Sequence, residues 1–259
     1  MLKFVVLLAF VAAVTAVPAF LTVEPKVDDS ADWRVVGGTN ATAGAYPYMV
    51  SLRSSANAHF CGGSILNSQW ILTAASCLVG RTVTNTMVVA GTNTLNAGGL
   101  SRNSSRFVIH ANYDTFTFAN DIAVIQLSQA LNYSSLIAQV PLNTGNTTTV
   151  AAILLGWGST VTNGSIPNNL QQLATNTIPH ATCQFSWGQF VTTNQICAVT
   201  WAGQGACQGD GGGPLMQNST RAQLGIVSFI SAGGCALGYP DVYTRVSQYI
   251  SWIQSAVSS

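Results

Sequence analysis

The chain has 259 residues and six cysteines, with nine Lys or Arg against eight Asp or Glu and a net charge of +1. So weak a charge excludes electrostatic capture of nucleic acid or of an anionic membrane surface. Beyond residue 34 the only charged side chains are six arginines (Arg53, Arg81, Arg102, Arg106, Arg221, Arg245) and four aspartates (Asp114, Asp121, Asp210, Asp241).

At the N-terminus, Lys3, the apolar run Phe4–Val14 and the small-residue site Val14-Thr15-Ala16 predict a signal peptide over residues 1–16. The run is too short to span a bilayer, and secretion follows. Residues 17–34 differ in character: Glu24, Lys26, Asp28, Asp29 and Asp32 precede Arg34, which stands directly before Val35-Val36-Gly37-Gly38. Short apolar and β-branched runs then predict strands at 48–53, 64–66, 70–73, 87–90, 122–127, 151–155 and 223–228, with polar, turn-rich connections such as 93–99 and 143–149. Val246, Tyr249, Ile250, Ile253 and Val257 recur at helical spacing, so a helix is expected over about 246–257.

Six cysteines in a secreted chain predict three disulfides, with 15 pairings open on count alone. The three histidines, His59, His110 and His180, show no ligand spacing, and neither a metal nor a cofactor is expected. Sequons at Asn40, Asn103, Asn132, Asn146, Asn163 and Asn218 predict glycosylation in exposed loops.

Three internal motifs carry chemistry: Leu72-Thr73-Ala74-Ala75-Ser76-Cys77, Asn120-Asp121-Ile122-Ala123 and Gln208-Gly209-Asp210-Gly211-Gly212-Gly213-Pro214. With Val35-Val36-Gly37-Gly38 they resemble the signatures of chymotrypsin-like serine proteases, T-A-A-H-C and G-D-S-G-G-P among them. The resemblance covers residues 35–259 and is strongest to arthropod chymotrypsin-like members. It implies an all-β fold of two antiparallel six-stranded β-barrels closed by a C-terminal α-helix. The N-terminal barrel would cover about 35–140 and the C-terminal barrel with its helix about 141–259.

The same resemblance makes 17–34 a propeptide cut after Arg34, and pairs Cys61–Cys77, Cys183–Cys197 and Cys207–Cys235. The freed Val35 ammonium would pair with Asp210. Gly209 and Gly211 would supply the oxyanion-hole amides, and Gly205, Ser228, Phe229, Ile230 and Asp241 the specificity pocket. Asp121 matches the catalytic carboxylate.

Two positions depart from the pattern. Ser76 stands where the family has its histidine base, and Gly211 where it has its serine nucleophile. A serine hydroxyl is no general base near neutral pH, and glycine has no atom with which to form an acyl-enzyme. The expectation from these residues is a monomeric, secreted homologue that is not an enzyme and binds a peptide, a protease inhibitor or an extracellular protein. The alternative is a serine-type endopeptidase with residual or rerouted activity, using water or Ser76. A third reading is a secretory storage or structural protein with no specific ligand. Arginine as the sole cation beyond residue 34 suits an alkaline compartment such as a gut lumen, because it stays protonated there.

Overall fold

The structure is a computed structural model that describes residues 35–199 and 201–258. The segments 1–16 and 17–34, with Arg34, lie outside the described residues. Strand β1 (Thr39–Asn40) is followed by β2 (Met49–Arg53), β3 (His59–Ile65), β4 (Trp70–Thr73), β5 (Met87–Ala90), β6 (Leu100–Ile109) and β7 (Ala123–Leu127). Strands β2 to β7 close a barrel in the order β2-β3-β4-β7-β6-β5.

The second half supplies β8 (Ala151–Gly156), β9 (Gln171–Ile178), β10 (Gln195–Ala198), β11 (Pro214–Gln217), β12 (Gln223–Phe229) and β13 (Asp241–Arg245). They form the run β9-β10-β13-β12-β11-β8, and the β8–β9 pairing closes it into a second antiparallel barrel. Closure removes the open strand edges that a charge-poor chain could not otherwise shield.

Each end of the described region packs on the other half's barrel. Val35 is fully buried in the second-barrel core. Val36 bridges Gly205, and Thr39 pairs with Gln172 of β9. The expected assignment of residues from 35 onward to the first barrel is therefore corrected. Burial of an apolar N-terminal segment draws it across the groove.

At the other end, Val246–Gln248 form a 3-10 turn and Ile250–Ser258 form the closing helix. Its buried face, Ile253 and Ala256 with Tyr249 and Val246, joins the first-barrel core, and His110 packs edge-on to Tyr249 at 5.7 Å. A second helix, α1 (His180–Trp187), precedes this closing helix, α2, and was not foreseen. Its only buried residue is Cys183, and Phe185 is 95% exposed, so no apolar stripe marks it in the sequence.

The disulfides are Cys61–Cys77, Cys183–Cys197 and Cys207–Cys235. The first anchors the segment bearing Ser76 to β3, and the third anchors the 208–213 loop. The barrels also join through a buried bond in which the Ser64 hydroxyl donates to Gln223 Oε1 at 2.6 Å.

Candidate functional site in the groove between the barrels

Ser76 sits in a 3-10 turn, Ala75–Cys77, held by buried Ala75 and Cys77. Asp121 is brought to it from the loop before β7. The Asp121 carbonyl accepts from the Thr244 hydroxyl at 2.7 Å, and Tyr249 Oη donates to Asn120 Oδ1 at 2.9 Å. Both anchors come from beyond the first barrel, so the carboxylate is set by the barrels' mutual packing.

Asp121 is fully buried. Its Oδ1 accepts from the Ser76 N–H at 2.7 Å, and its Oδ2 accepts from the hydroxyls of Ser76 at 3.0 Å and Ser228 at 2.6 Å. Burial pushes its carboxyl up to about 6, against the pull of these hydrogen bonds. Ser228 was expected to line the specificity pocket; the structure gives it the further task of holding Asp121. Because Ser76 donates its one hydroxyl proton to Asp121, it offers the groove only lone pairs.

Gly211 lies opposite. A Cβ placed on it would meet only Cys61 Sγ at 3.6 Å and Cys77 Sγ at 3.7 Å, ordinary contact distances. Its neighbours are different. Gly212 has φ +76° and a Cβ there would collide with Thr73 Oγ1, while a Cβ on Gly213 would lie 2.9 Å from the Asp210 carbonyl. Of the three consecutive glycines, the backbone needs Gly212 and Gly213 but not Gly211.

The loop's amides divide in an informative way. Those of Asp210, Gly212 and Gly213 donate to the carbonyls of Cys207, Val227 and Asp210. Those of Gly209 and Gly211 have no partner among the described residues, and both residues line the groove. Two donors without partners on one cavity wall are available to an anionic oxygen placed there.

Asp210 points the other way and is fully buried. It accepts from the Gly158 N–H at 2.7 Å and the Cys207 N–H at 2.9 Å, and burial pushes it up to about 7. Val35 is also fully buried, in the second-barrel core.

The groove opens into a cavity of about 1030 Å³ in which Ser76, Gly209, Gly211, Ser228, Phe229 and Ile230 all appear. Gly205 and Asp241 do not line it. Gly205, expected at the pocket's base, is buried, and Asp241, expected opposite it, is 3% exposed with its Oδ2 accepting from the Ala206 N–H at 2.6 Å. Burial, with the nearby Asp210 charge adding to it, pushes Asp241 up to about 8. The walls are aromatic to a degree the sequence did not disclose. Trp187 packs edge-on to Phe229 at 5.2 Å, Phe118 lies 5.4 Å from Phe229, and Phe116 and Phe190 meet at 6.0 Å on the rim. These residues come from α1 and the turn after it, from the loop before Asp121 and from the end of β12, and no spacing links them. Tyr113 also escaped notice; burial first, then the charges of Asp121 and Asp114, push its hydroxyl up to about 12.

Two closed barrels with this loop and carboxylate between them leave little choice of family, and comparison with known proteins decides it. The family model described as Trypsin matches residues 35–253. The chain belongs to the trypsin family. It is 44% identical to Chymotrypsin-2 of Vespa crabro over 85% of this chain and 98% of that protein. It is 38% identical to Trypsin I-P1 of Gallus gallus and to Trypsin alpha-4 of Lucilia cuprina, over the full length of both chains in each case.

These relatives overturn the expectation that the chain is not an enzyme. They are named as trypsins and a chymotrypsin at 38–44% identity, and the trypsin family points to a serine endopeptidase. The exchanges at 76 and 211 bear on which groups carry the chemistry, not on the family. Of the remaining predicted residues, all six sequon asparagines are exposed, and Asn163 lies on the cavity wall. No helix among the described residues is long and apolar enough to cross a membrane, and no cluster there could hold a metal ion.

Proposed function

We propose that this trypsin-family chain seats an extended peptide with an apolar side chain in its groove and hydrolyses it slowly by a rerouted step. The observation that carries this reading is the meeting of two unpartnered amides, Gly209 and Gly211, with the apolar walls Phe229 and Ile230 in one cavity. In the rerouted step, water occupies the space that a residue-211 side chain would fill. Its oxygen attacks the carbonyl while its proton passes to Ser76 Oγ, whose own proton moves to Asp121. The two amides meet the oxyanion, and the proton returns by the same path to the leaving amine. A buried carboxyl raised to about 6 is a better base than an ordinary aspartate. Oxyanion and binding contributions alone sustain about a thousandfold acceleration over water.

Secretion, release of 1–16, cleavage after Arg34 with pairing of the Val35 ammonium and Asp210, and a monomeric state complete the proposal. The exposed Phe116, at 78%, gives a further reason to include loops of a protease inhibitor or an extracellular protein among its ligands.

The Arg34-cleaved protein is to be assayed with peptide anilides bearing Phe or Leu before the scissile bond. Saturable binding is expected, reported by Trp187 fluorescence, with slow turnover that falls at least about tenfold in Ser76→Ala while affinity changes little. Absence of saturable binding would sink the reading, and turnover indifferent to Ser76→Ala would remove the rerouted step.

A further inference from the structure

Arg53, near the end of β2, is only 4% exposed, yet every hydrogen-bond partner it has is neutral. Its Nε donates to Ser51 Oγ at 3.0 Å, and its Nη1 donates to Asn57 Oδ1 at 3.0 Å and to the Leu95 carbonyl at 2.8 Å. Its Nη2 is buried without a partner. A guanidinium kept from water without a carboxylate is costly, so a purely packing role is a poor account of it.

The protons run in one direction from this cation. Arginine has no acceptor, so Ser51 Oγ must accept from it and must send its own single proton elsewhere. The other atom within reach is His59 Nδ1, at 2.8 Å. With its Nδ1 lone pair occupied, a neutral imidazole carries its proton on Nε2, which lies 3.0 Å from the Gly209 carbonyl. The opposite tautomer would set two lone pairs against each other at Gly209. Trp157 packs edge-on to the ring at 5.6 Å and limits its turning. Burial, together with the Arg53 charge, pushes His59 down to about 4 and keeps it neutral.

The relay ends where it matters for the groove. β3 holds two alternate carbonyls of the loop, that of Gly209 through His59 and that of Gly211 through the Gly62 N–H at 2.8 Å. Each of these carbonyls lies in the peptide plane that follows an unpartnered N–H; the Gly209 N–H's own plane is held by the Gln208 carbonyl, which accepts from the Ser159 N–H at 2.7 Å, so β3 restrains the far side of each of the two glycines. We propose that Arg53 is a positioning residue: through Ser51 it locks His59 as the Nε2–H tautomer, which clamps the Gly209 carbonyl and restrains rotation at the residue whose unpartnered N–H lines the groove. Its consequence for ligands rests on the peptide reading above; the tautomer itself does not.

The test uses nitrogen-15 spectra of the three histidines in the Arg34-cleaved protein, with affinities for a peptide ending in Phe carboxylate and for its alcohol counterpart. The unsubstituted protein should show His59 as Nε2–H with a bare Nδ1. Arg53→Met and Ser51→Ala should each give a mixture of tautomers, move the Gly209 amide resonance and reduce the preference for carboxylate about fivefold. Arg53→Lys, still a donor-only cation, should restore all three readings. Ser51→Ala, a loss of one atom, carries the test if Arg53→Met fails to fold. An unsubstituted His59 found as Nδ1–H, or folded variants that keep the Nε2–H form and the Gly209 resonance, would overturn the proposal. A tautomer change with no effect on either ligand supports the relay and counts against peptide binding instead.

Discussion

At the scale of single residues, the run Gly211-Gly212-Gly213 separates what the fold requires from what it does not. Gly212 holds φ +76° against Thr73, whereas Gly211 has room for a side chain. Gly211→Ser should therefore leave the urea midpoint within experimental scatter, and Gly212→Ala should cost about 3 kcal/mol from backbone strain and overlap. Equal losses in the two variants would contradict this division. The motif residues were legible through their resemblance to a family, whose signatures at Ser76, Asp121 and Gly209–Gly211 each occupy a short stretch of sequence. The bond from Ser228 to Asp121 at 2.6 Å and the pairing of the aromatic walls were not, because elements far apart in the chain supply them.

At the scale of elements, β4 and β5 are found where their apolar runs predict, at Trp70–Thr73 and Met87–Ala90. Strand β6 (Leu100–Ile109) and strand β9 (Gln171–Ile178) escaped, since Ser, Arg, Asn, Gln and Thr fill their partly exposed faces. Barrel closure pairs them on both sides and overrides weak local propensity. The N-terminal segment was misassigned for a related reason, since nothing in Val35–Asn40 says which barrel will bury it. Where the barrels meet, Gln223 is fully buried; it accepts from Ser64 and donates to the Gly225 carbonyl at 3.1 Å. Gln223→Leu should cost about 2 kcal/mol in chemical denaturation by orphaning the Ser64 hydroxyl, and Ser64→Ala in the same background should recover part of that loss.

At the scale of the whole molecule, three buried carboxyls dominate the dependence of stability on pH. Burial raises Asp121, Asp210 and Asp241 from 3.8 to about 6, 7 and 8. Between about pH 4 and 8 the folded chain thus binds more protons at these sites than the unfolded chain does. Their contribution is full below about pH 4 and is lost as pH rises through their folded values. His59, lowered to about 4, opposes them by losing stability as pH falls from 6.5, but it is one group against three. The urea midpoint of the uncleaved protein should therefore fall from about pH 4.5 to 8. Cleavage after Arg34 should lessen that fall, because a Val35 ammonium would stabilise ionised Asp210. A midpoint that rises across this interval would show that the carboxyls ionise freely.

The proposed function requires that the groove keep the geometry of a serine endopeptidase site although residues 76 and 211 do not supply the family's side chains. Its most direct test is kcat/KM of the Arg34-cleaved double variant Ser76→His with Gly211→Ser on a Phe anilide. The geometry predicts a rise of at least about a thousandfold over the unsubstituted protein. A folded double variant with no gain would contradict it.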